Sequence, residues 1–520
     1  MLETFENALE KTMKSENIFT ENGAIGYKTS GKALVDFNFK MSSYRDMNES
    51  DIIHDFNEVY NEDPIIAVKM LFFTGDIREG MGERRVFNTC LNWLASNHPE
   101  VIKAVLPYIP EYNRWDAVIE LCFNLNTQKE AINLIAKQLM EDEENMKLNK
   151  SISLLAKWMP SINTSSKKTI LKGKRMISLL KQRESDYRKM LSAFRKYLDV
   201  VEVKMSSNNW HKIKYENIPS KANLLYKDAF MKHDAERRSK YLEALKNGET
   251  KINSSVSFPC DIISKYRTSL NFHVEDDDTY EEMWKSLPNY VGENGADTIC
   301  VVDGSGSMIT NVGNSRMTCL DVAHSLGIYF AEKMQGAFHN KFITFSCNPQ
   351  FVKFEKDWSL REKLMECDLH DEVANTDIEK VFDLILNTAI QNNLSQDELP
   401  KNVLILSDME FDACSIRVSS SIWNMQGKFM TRFKTLFESI RERYEEHGYK
   451  LPKLIFWNIN SRSNAIPLQE NEAGVALLSG FSPTIASMVF SSKLEPYQVI
   501  LERLASPRYD VIEKAVKTQI

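Results

Sequence analysis

Five side chains in three separate segments could together hold a hard divalent cation. Asp303, Ser305 and Ser307 form a D-x-S-x-S pattern directly after the apolar run TICVV. Thr376 opens the segment TDIEKVFDLILNTAI, and Asp408 ends the segment KNVLILSD. Carboxylate and hydroxyl oxygens suit Mg²⁺, or alternatively Mn²⁺ or Ca²⁺, and lack the softness that zinc or copper favours. The sequence therefore predicts a metal site, although an ordinary Asp-Gly-Ser turn is the alternative interpretation.

The elements around these residues explain how they could meet. TICVVD and KNVLILSD are continuous apolar runs, as in strands buried on both faces of a sheet, and CLDVAHSLGIYFAEKM has a helical pattern. KFITFSCNPQFVKF resembles a pair of hairpin strands, and KLIFWNIN and GVALLSGFSP are further predicted strands. This alternation predicts a doubly wound, mostly parallel α/β domain. Polar residues at its strand ends converge on one crevice at the topological switch point.

The segment that begins just before TICVV resembles a von Willebrand factor A (vWA) domain, a Rossmann-like fold, with a metal-ion-dependent adhesion site (MIDAS). The resemblance implies that Ser305, Ser307 and Thr376 contact the metal directly. It implies that Asp303 and Asp408 act largely through water, and that an acidic group of a protein partner completes the coordination shell.

The chain before this domain has helical periodicity from about residue 50 to residue 246. Short amphipathic helices in series are typical of HEAT-type helical repeats. No repeat of fixed period is visible, so an irregular helical domain is the alternative. The acidic stretch HVEDDDTYEEMW predicts an extended linker or surface loop, since its like charges repel. We therefore expect a helical domain at 1–270, a linker at 271–296 and the A-type domain at 297–520, giving an α + α/β fold.

A local excess of positive charge lies within the helical part. The chain carries a formal charge of −7, but residues 167–196 contain eleven basic residues and two acidic ones. Such a surface attracts phosphate backbones, and nearby aromatic rings such as Trp158 and Trp210 could stack on unpaired bases. The alternative is a solvated helix face with its aromatic residues in the core.

The helical part is also similar to a family of unknown function in which a helical domain precedes a vWA-like domain. The stretches TGDIREGMGERRVF, YNRWDAVIEL, LLAKWMPSINTSS and LILSDMEFD carry this resemblance. More distantly, the architecture resembles the TROVE domain of the Ro ribonucleoprotein, a toroid of helical repeats that the A domain closes. That resemblance implies binding of structured noncoding RNA. The candidate RNA-binding residues are Arg78, Arg84, Arg85, Arg114, Lys157, Lys172, Lys174 and Arg175, whose alternative role is local ion pairing.

The sequence offers little support for an enzyme. It has no H-E-x-x-H motif and no phosphate-binding P-loop. No apolar run is long enough for a membrane span, and the acidic N-terminus does not resemble a signal peptide, so we expect a cytoplasmic protein without a membrane partner. We expect noncatalytic binding. The alternatives are a protein-assembly or scaffold factor and a Mg²⁺-dependent phosphoryl-transfer enzyme or nuclease, with Glu410 and Asp412 beside the metal motif.

Overall fold

The chain of 520 residues forms two compact units, each built from two separate stretches. The sheet unit contains residues 1–62 and 257–503, and the helical unit contains residues 63–256 and 504–520. The computed structural model describes residues 17–19, 25–254, 256–269, 272–292, 297–371, 377–410, 440–464, 466, 475–490, 493 and 495–519.

Helices dominate the first part of the chain. Strands β1 (Asn17–Phe19) and β2 (Ile25–Tyr27) form an antiparallel pair. The helices that follow are α1 (Ala33–Phe39), α2 (Glu49–Glu62), α3 (Pro64–Gly75), α4 (Arg84–Asn97), α5 (Pro99–Val105), α6 (Ile109–Tyr112), α7 (Trp115–Leu121), α8 (Gln128–Lys147), α9 (Leu155–Trp158), α10 (Lys167–Leu179), α11 (Glu184–Tyr197), α12 (Val201–Ser206), α13 (Ser220–Lys246), α14 (Pro259–Arg267) and α15 (Asp278–Lys285). None of the helices in the described ranges is long and apolar enough to cross a membrane.

Strands and helices alternate in the second part. In chain order these elements are β3 (Thr298–Asp303), α16 (Cys319–Lys333), β4 (Lys341–Phe345), β5 (Phe351–Lys353), α17 (Leu360–Leu369), α18 (Ile378–Gln391), β6 (Asn402–Ser407), β7 (Lys453–Asn458), β8 (Val475–Ser479), α19 (Ala486–Val489), α20 (Pro496–Leu504) and α21 (Asp510–Lys517). The prediction of a helical region followed by an α/β region is confirmed.

The sheet has the strand order β5-β4-β3-β6-β7-β8. All neighbouring strands are parallel except β4 and β5, which form the predicted antiparallel pair at the edge. The chain begins the sheet at β3, continues outward to β5, and returns to place β6 on the other side of β3. The switch point therefore lies between β3 and β6, where an open α/β sheet forms its ligand crevice.

Helix α16 packs closely on the first strand of the sheet. A Cβ atom at Gly327 would lie 2.6 Å from Cγ2 of Val302, so only glycine permits this approach. Thr318 caps the helix by accepting a hydrogen bond from the backbone N–H of Asp321, at 3.0 Å. Strand β3 is buried along its whole length, as its apolar sequence predicts. The end of β3 is thus held rigidly.

The two units differ from the predicted division at residues 270 and 297. Helix α1 and the residues after it join the sheet unit, because the side chain of Ser42 donates to the carbonyl of Asn458, at 3.1 Å, and its backbone N–H donates to Ser479 Oγ, at 3.0 Å. The C-terminal residues join the helical unit, where Arg508 pairs with the buried carboxylate of Asp76. Such long-range polar pairs leave no local pattern in the sequence.

The acidic stretch predicted to be an extended linker contains helix α15 instead. Asp277 caps this helix by accepting from the backbone N–H groups of Thr279 and Tyr280, at 3.0 and 3.4 Å. Acidic residues in a first helical turn are favourable because they interact with the helix dipole. Met283 and Trp284 are buried, so apolar packing outweighs the repulsion between neighbouring carboxylates.

Candidate metal centre and basic surface

The two predicted aspartates lie on either side of the switch point. Asp303 is the last residue of β3, and Asp408 directly follows β6; each is 1% exposed. The Asp303 carboxylate accepts from Ser407 Oγ at 2.6 Å and from the backbone N–H of Ser305 at 3.0 Å. These bonds fix its orientation, while parallel pairing of β3 with β6 brings the two strand ends together.

The two predicted serines have the spacing of neighbouring metal ligands. The hydroxyl oxygens of Ser305 and Ser307 are 3.0 Å apart, and both residues are partly exposed. Adjacent ligands of an octahedral Mg²⁺ with bonds of 2.0–2.1 Å lie about 3 Å apart, so the pair fits one edge of that octahedron. Ser307 also lies close enough to Asp408 to act to lower the pKa of that carboxyl. The donor set of hydroxyl and carboxylate oxygens fits a hard divalent cation.

The electrostatics of the two carboxylates also favour a cation. Burial raises the pKa of Asp303 to about 7, and repulsion from Asp408 adds to the shift. Burial likewise raises the pKa of Asp408, although the nearby Arg462 opposes the shift. Two buried carboxylates that repel each other are costly to ionise together. A divalent cation between them would remove that cost.

The fifth predicted ligand, Thr376, lies outside the described residues. The described chain nevertheless reaches the metal loop just before it. A Cβ atom at Gly304 would lie 2.5 Å from Oδ1 of Asp371 and 3.1 Å from its Cα, so Asp371 lies against this glycine. Asp377, the residue after Thr376 in the sequence, caps α18 by accepting from the backbone N–H of Lys380.

An arginine that the sequence reasoning missed also reaches this site. Arg462 lies in the loop after β7, and its Nη1 is 3.1 Å from Oδ2 of Asp408. The backbone N–H groups of Arg462 and Ser463 donate to Oε1 of Glu410, at 2.7 and 2.8 Å. The available signal was the position of SRS at the end of the strand KLIFWNIN, since β7 neighbours β6.

Glu410 had been a candidate acid or base for the nuclease alternative. It is 3% exposed, and Ser461 Oγ also donates to its carboxylate, at 3.2 Å. These hydrogen bonds hold the carboxylate between two loops, so its role is structural. Asp412, the other candidate, lies outside the described residues.

A second group of possible ligands surrounds His324. Its Nε2 is 3.0 Å from Oδ1 of Asp371, and ligand atoms of His324, Asp368 and Asp371 lie within 4.8 Å of one another. Arg267, however, donates to Asp368, and its Nη2 lies 2.6 Å from Nδ1 of His324. Burial disfavours the imidazolium form of His324, but hydrogen bonds with the two aspartates outweigh it and raise the pKa. Because a guanidinium already occupies these acceptors, the group is better explained as an ion network beside the metal loop.

Several predicted RNA-binding residues come together around helix α7 of the helical unit. Arg84 and Arg114 both pair with Asp116, and Lys172 pairs with Glu120, one helical turn further along. The surface continues to Arg175, whose guanidinium lies 5.0 Å from the ring centroid of Phe123. We call these side chains, together with the nearby Lys157, the basic surface; its members are Arg84, Arg114, Lys157, Lys172 and Arg175.

An aromatic ring lies within the basic surface. The Arg114 guanidinium is 3.8 Å from the ring centroid of Trp158, and Nζ of Lys157 is 5.8 Å from it. Lys174, two residues after Lys172 on α10, is exposed, but residues two apart do not share a helix face, so it is not a member of the basic surface. The five cations of the basic surface exceed the two acids Asp116 and Glu120, so these side chains keep a net positive charge despite their ion pairs.

The remaining basic residues have other surroundings. Arg78 pairs with Glu111 at 2.9 Å, and Arg85 is exposed at the start of α4. Arg195, part of the basic run, donates to the carbonyls of Ala156 and Met159, at 2.9 and 2.7 Å, so its role is structural. Tyr187 and Phe194 are buried, as the alternative interpretation of the aromatic residues expects.

Comparison with known proteins identifies the family. Residues 297–503 match the model described as Domain of unknown function (DUF7788), and residues 20–113 and 167–296 match Domain of unknown function (DUF2828). "Uncharacterized protein L728" of Acanthamoeba polyphaga mimivirus is 30% identical in an alignment 526 residues long. The alignment covers 94% of this chain and 87% of that protein. The chain belongs to the family of this viral protein.

The candidate metal centre lies within one matched region, whereas the basic surface extends beyond the matched regions. All predicted metal-site residues and Arg462 fall within the DUF7788 match at 297–503. The basic surface is drawn from both sides of the break in the DUF2828 match: Arg84, Lys172 and Arg175 lie within it, whereas Arg114 and Lys157 lie between its two parts. The candidate metal centre is therefore contained in one family domain.

Proposed function

We propose that this protein is a noncatalytic binding protein with a vWA-like sheet unit and a TROVE-like helical unit. In this proposal the sheet unit docks an acidic group of a protein partner through a divalent cation, and the helical unit binds RNA. The free cysteines among the described residues, six of them buried, agree with a cytoplasmic location.

The observation that carries the metal half is the meeting of Asp303, Ser305, Ser307 and Asp408 at the switch point. The two hydroxyls are spaced for one ion, and the two carboxylates supply its compensating charge. When bound, the cation would supply an open coordination position for a partner oxygen. Ser305 and Ser307 are partly exposed, which supports the access of a partner to that position.

Electron paramagnetic resonance of Mn²⁺ tests the metal half on the full chain. We expect one Mn²⁺ per chain, displaced by Mg²⁺, and at least a tenfold loss of affinity in Asp303→Ala. Asp357→Ala removes the same charge at an exposed position of the sheet unit and should not change the affinity. Equal binding by both variants would contradict the proposal.

The RNA half is supported by the clustering of basic side chains around α7 and by Trp158 among them. Each phosphate contact to single-stranded RNA contributes about 0.7 to the slope of log affinity against log salt. Replacing Lys172, Lys174 and Arg175 with Ala should therefore weaken binding and reduce this slope by about 2. Electrophoretic mobility of a labelled structured RNA, measured between 50 and 300 mM salt, gives both quantities.

A matched control is available on other helices of the same unit. Lys137, Lys147 and Lys240 are exposed, and their replacement with Ala changes the net charge equally. We expect this control variant to retain both affinity and salt slope. No RNA binding at 50 mM salt, or equal loss in the two triple variants, would remove the RNA half. Purified protein that carries a stoichiometric protein partner and no nucleic acid would favour the assembly-factor alternative.

A further inference from the structure

Arg462 introduces a positive charge directly beside the candidate metal centre. Its Nη1 lies 3.1 Å from Oδ2 of Asp408 and 3.4 Å from Oγ1 of Thr310. The side chain is 21% exposed, whereas Asp408 is 1% exposed. The guanidinium therefore lies between a buried carboxylate and the surface from which a ligand would arrive.

The position of Arg462 is fixed by its backbone. Glu410, two residues after Asp408, accepts from the backbone N–H of Arg462 and from that of Ser463. Ser461 Oγ adds a third donor to the same carboxylate oxygen. The loop after β7 is thus tied to the loop after β6, which keeps the guanidinium at the centre.

The groups around the centre indicate which ligand fits. Asp303 and Asp408 together contribute two negative charges when ionised, and a divalent cation balances them. The carboxylate of Glu410, which holds the backbone of the Arg462 loop, offsets the charge of Arg462. A carboxylate ligand fits because one of its oxygens could bind the cation while the other accepts from the planar fork of the arginine.

The geometry points to Arg462 as the second half of the docking site: it pairs with Asp408 in the metal-free protein and contacts the partner's carboxylate in the loaded one. This inference rests on the proposed metal function. It adds a second contact for the acidic side chain of that partner, which binds Arg462 as well as the cation.

An exposed apolar side chain favours a protein over a nucleic acid at this position. Ile309, two residues after Ser307, is 63% exposed, and its neighbour Thr310 is also exposed. A protein segment with an apolar residue beside its acid can cover Ile309, whereas a sugar–phosphate backbone gains little from it. We therefore assign the centre to an acidic protein segment.

Two measurements on Arg462→Gln test this inference, because they should move in opposite directions. Mn²⁺ affinity, followed by electron paramagnetic resonance, should rise about three- to tenfold, since a competing positive charge near Asp408 is lost. Acetate, the probe for a carboxylate, is followed through broadening of its methyl proton resonance by protein-bound Mn²⁺. Its affinity should fall roughly tenfold, because a charge-assisted hydrogen bond is lost.

Further variants separate charge from structure. Arg462→Lys keeps the charge and should restore wild-type Mn²⁺ affinity while recovering only part of the acetate affinity, since lysine lacks the planar fork. Arg441→Gln removes an exposed arginine of the sheet unit and should change neither quantity.

The possible outcomes distinguish this inference from the proposed function. Wild-type protein that binds no Mn²⁺ would defeat the proposed metal function itself. If the wild type binds Mn²⁺ but Arg462→Gln changes neither affinity, or lowers both together, only the role of Arg462 is refuted. Broadening of dimethyl phosphate at lower concentrations than acetate would overturn the choice of a carboxylate partner.

Discussion

The pairing of Arg508 with Asp76 is predicted to hold the C-terminal helix α21 in the helical unit. The Asp76 carboxylate is fully buried and accepts from Nε and Nη2 of Arg508, at 2.5 and 3.0 Å, and from the hydroxyl of Tyr509, at 3.2 Å. Arg508→Met keeps the apolar stem of the side chain but leaves this carboxylate without its counter-charge. Breaking a buried ion pair by removing one partner costs about 3–5 kcal/mol.

The lower end of that range applies here, because Arg508 is 16% exposed and Asp76 retains Tyr509 and the backbone N–H of Arg78 as donors. A loss of about 3 kcal/mol increases local opening of α21 by roughly two orders of magnitude. Hydrogen exchange of residues 504–519, measured by mass spectrometry in the full chain, should accelerate by that factor.

Lys514→Met provides the control on the same helix, because Lys514 is exposed. We expect its exchange rates to match those of the wild type. Less than about fivefold acceleration in Arg508→Met would show that the ion pair does not hold the helix, and the argument from burial would then be wrong.

Three further predictions concern the candidate sites. Gly304→Ala would place a methyl group 2.5 Å from Asp371, so Mn²⁺ affinity measured by paramagnetic resonance should fall about tenfold; unchanged affinity would refute the tight fit of the loop. Asp116→Asn removes an acid from the basic surface, so RNA affinity in a mobility assay should rise about threefold at 50 mM salt and less at 300 mM; a loss would contradict the electrostatic explanation. Because the pKa of Asp303 is raised to about 7, a proton competes with the cation at low pH, and Mn²⁺ affinity should fall by up to tenfold per pH unit below 7; a flat profile from pH 6 to 8 would contradict this.

The strands, and the meeting of their ends at one edge of the sheet, could be predicted because their signals are local. β3 and β6 are continuous apolar runs that end in Asp303 and Asp408, and parallel strands present their ends at one edge of the sheet. Arg462 was missed, since its contact with Asp408 joins residues 54 positions apart and only its position after the strand KLIFWNIN points to this edge of the sheet. Its basic character alone is compatible with any surface loop.

The divisions of the chain and the state of the basic residues were harder to predict. The acidic stretch was expected to be extended, but the capping by Asp277 and the burial of Trp284 favour a helix. The ion pair of Arg84 with Asp116 depends on tertiary packing of α4 against α7, which charge counting along the sequence cannot detect. Arg114 pairs with the same acid from only two residues away, as its alternative role of local ion pairing expects. Similar long-range pairs place the C-terminal residues in the helical unit.

Anomalous diffraction from crystals of the full chain grown with Mn²⁺ tests the central claim most directly. We predict a manganese peak within bonding distance of both Ser305 Oγ and Ser307 Oγ, beside the carboxylates of Asp303 and Asp408. A peak at the His324 network instead, or no peak next to the two serines at saturating Mn²⁺, would contradict the proposed metal centre.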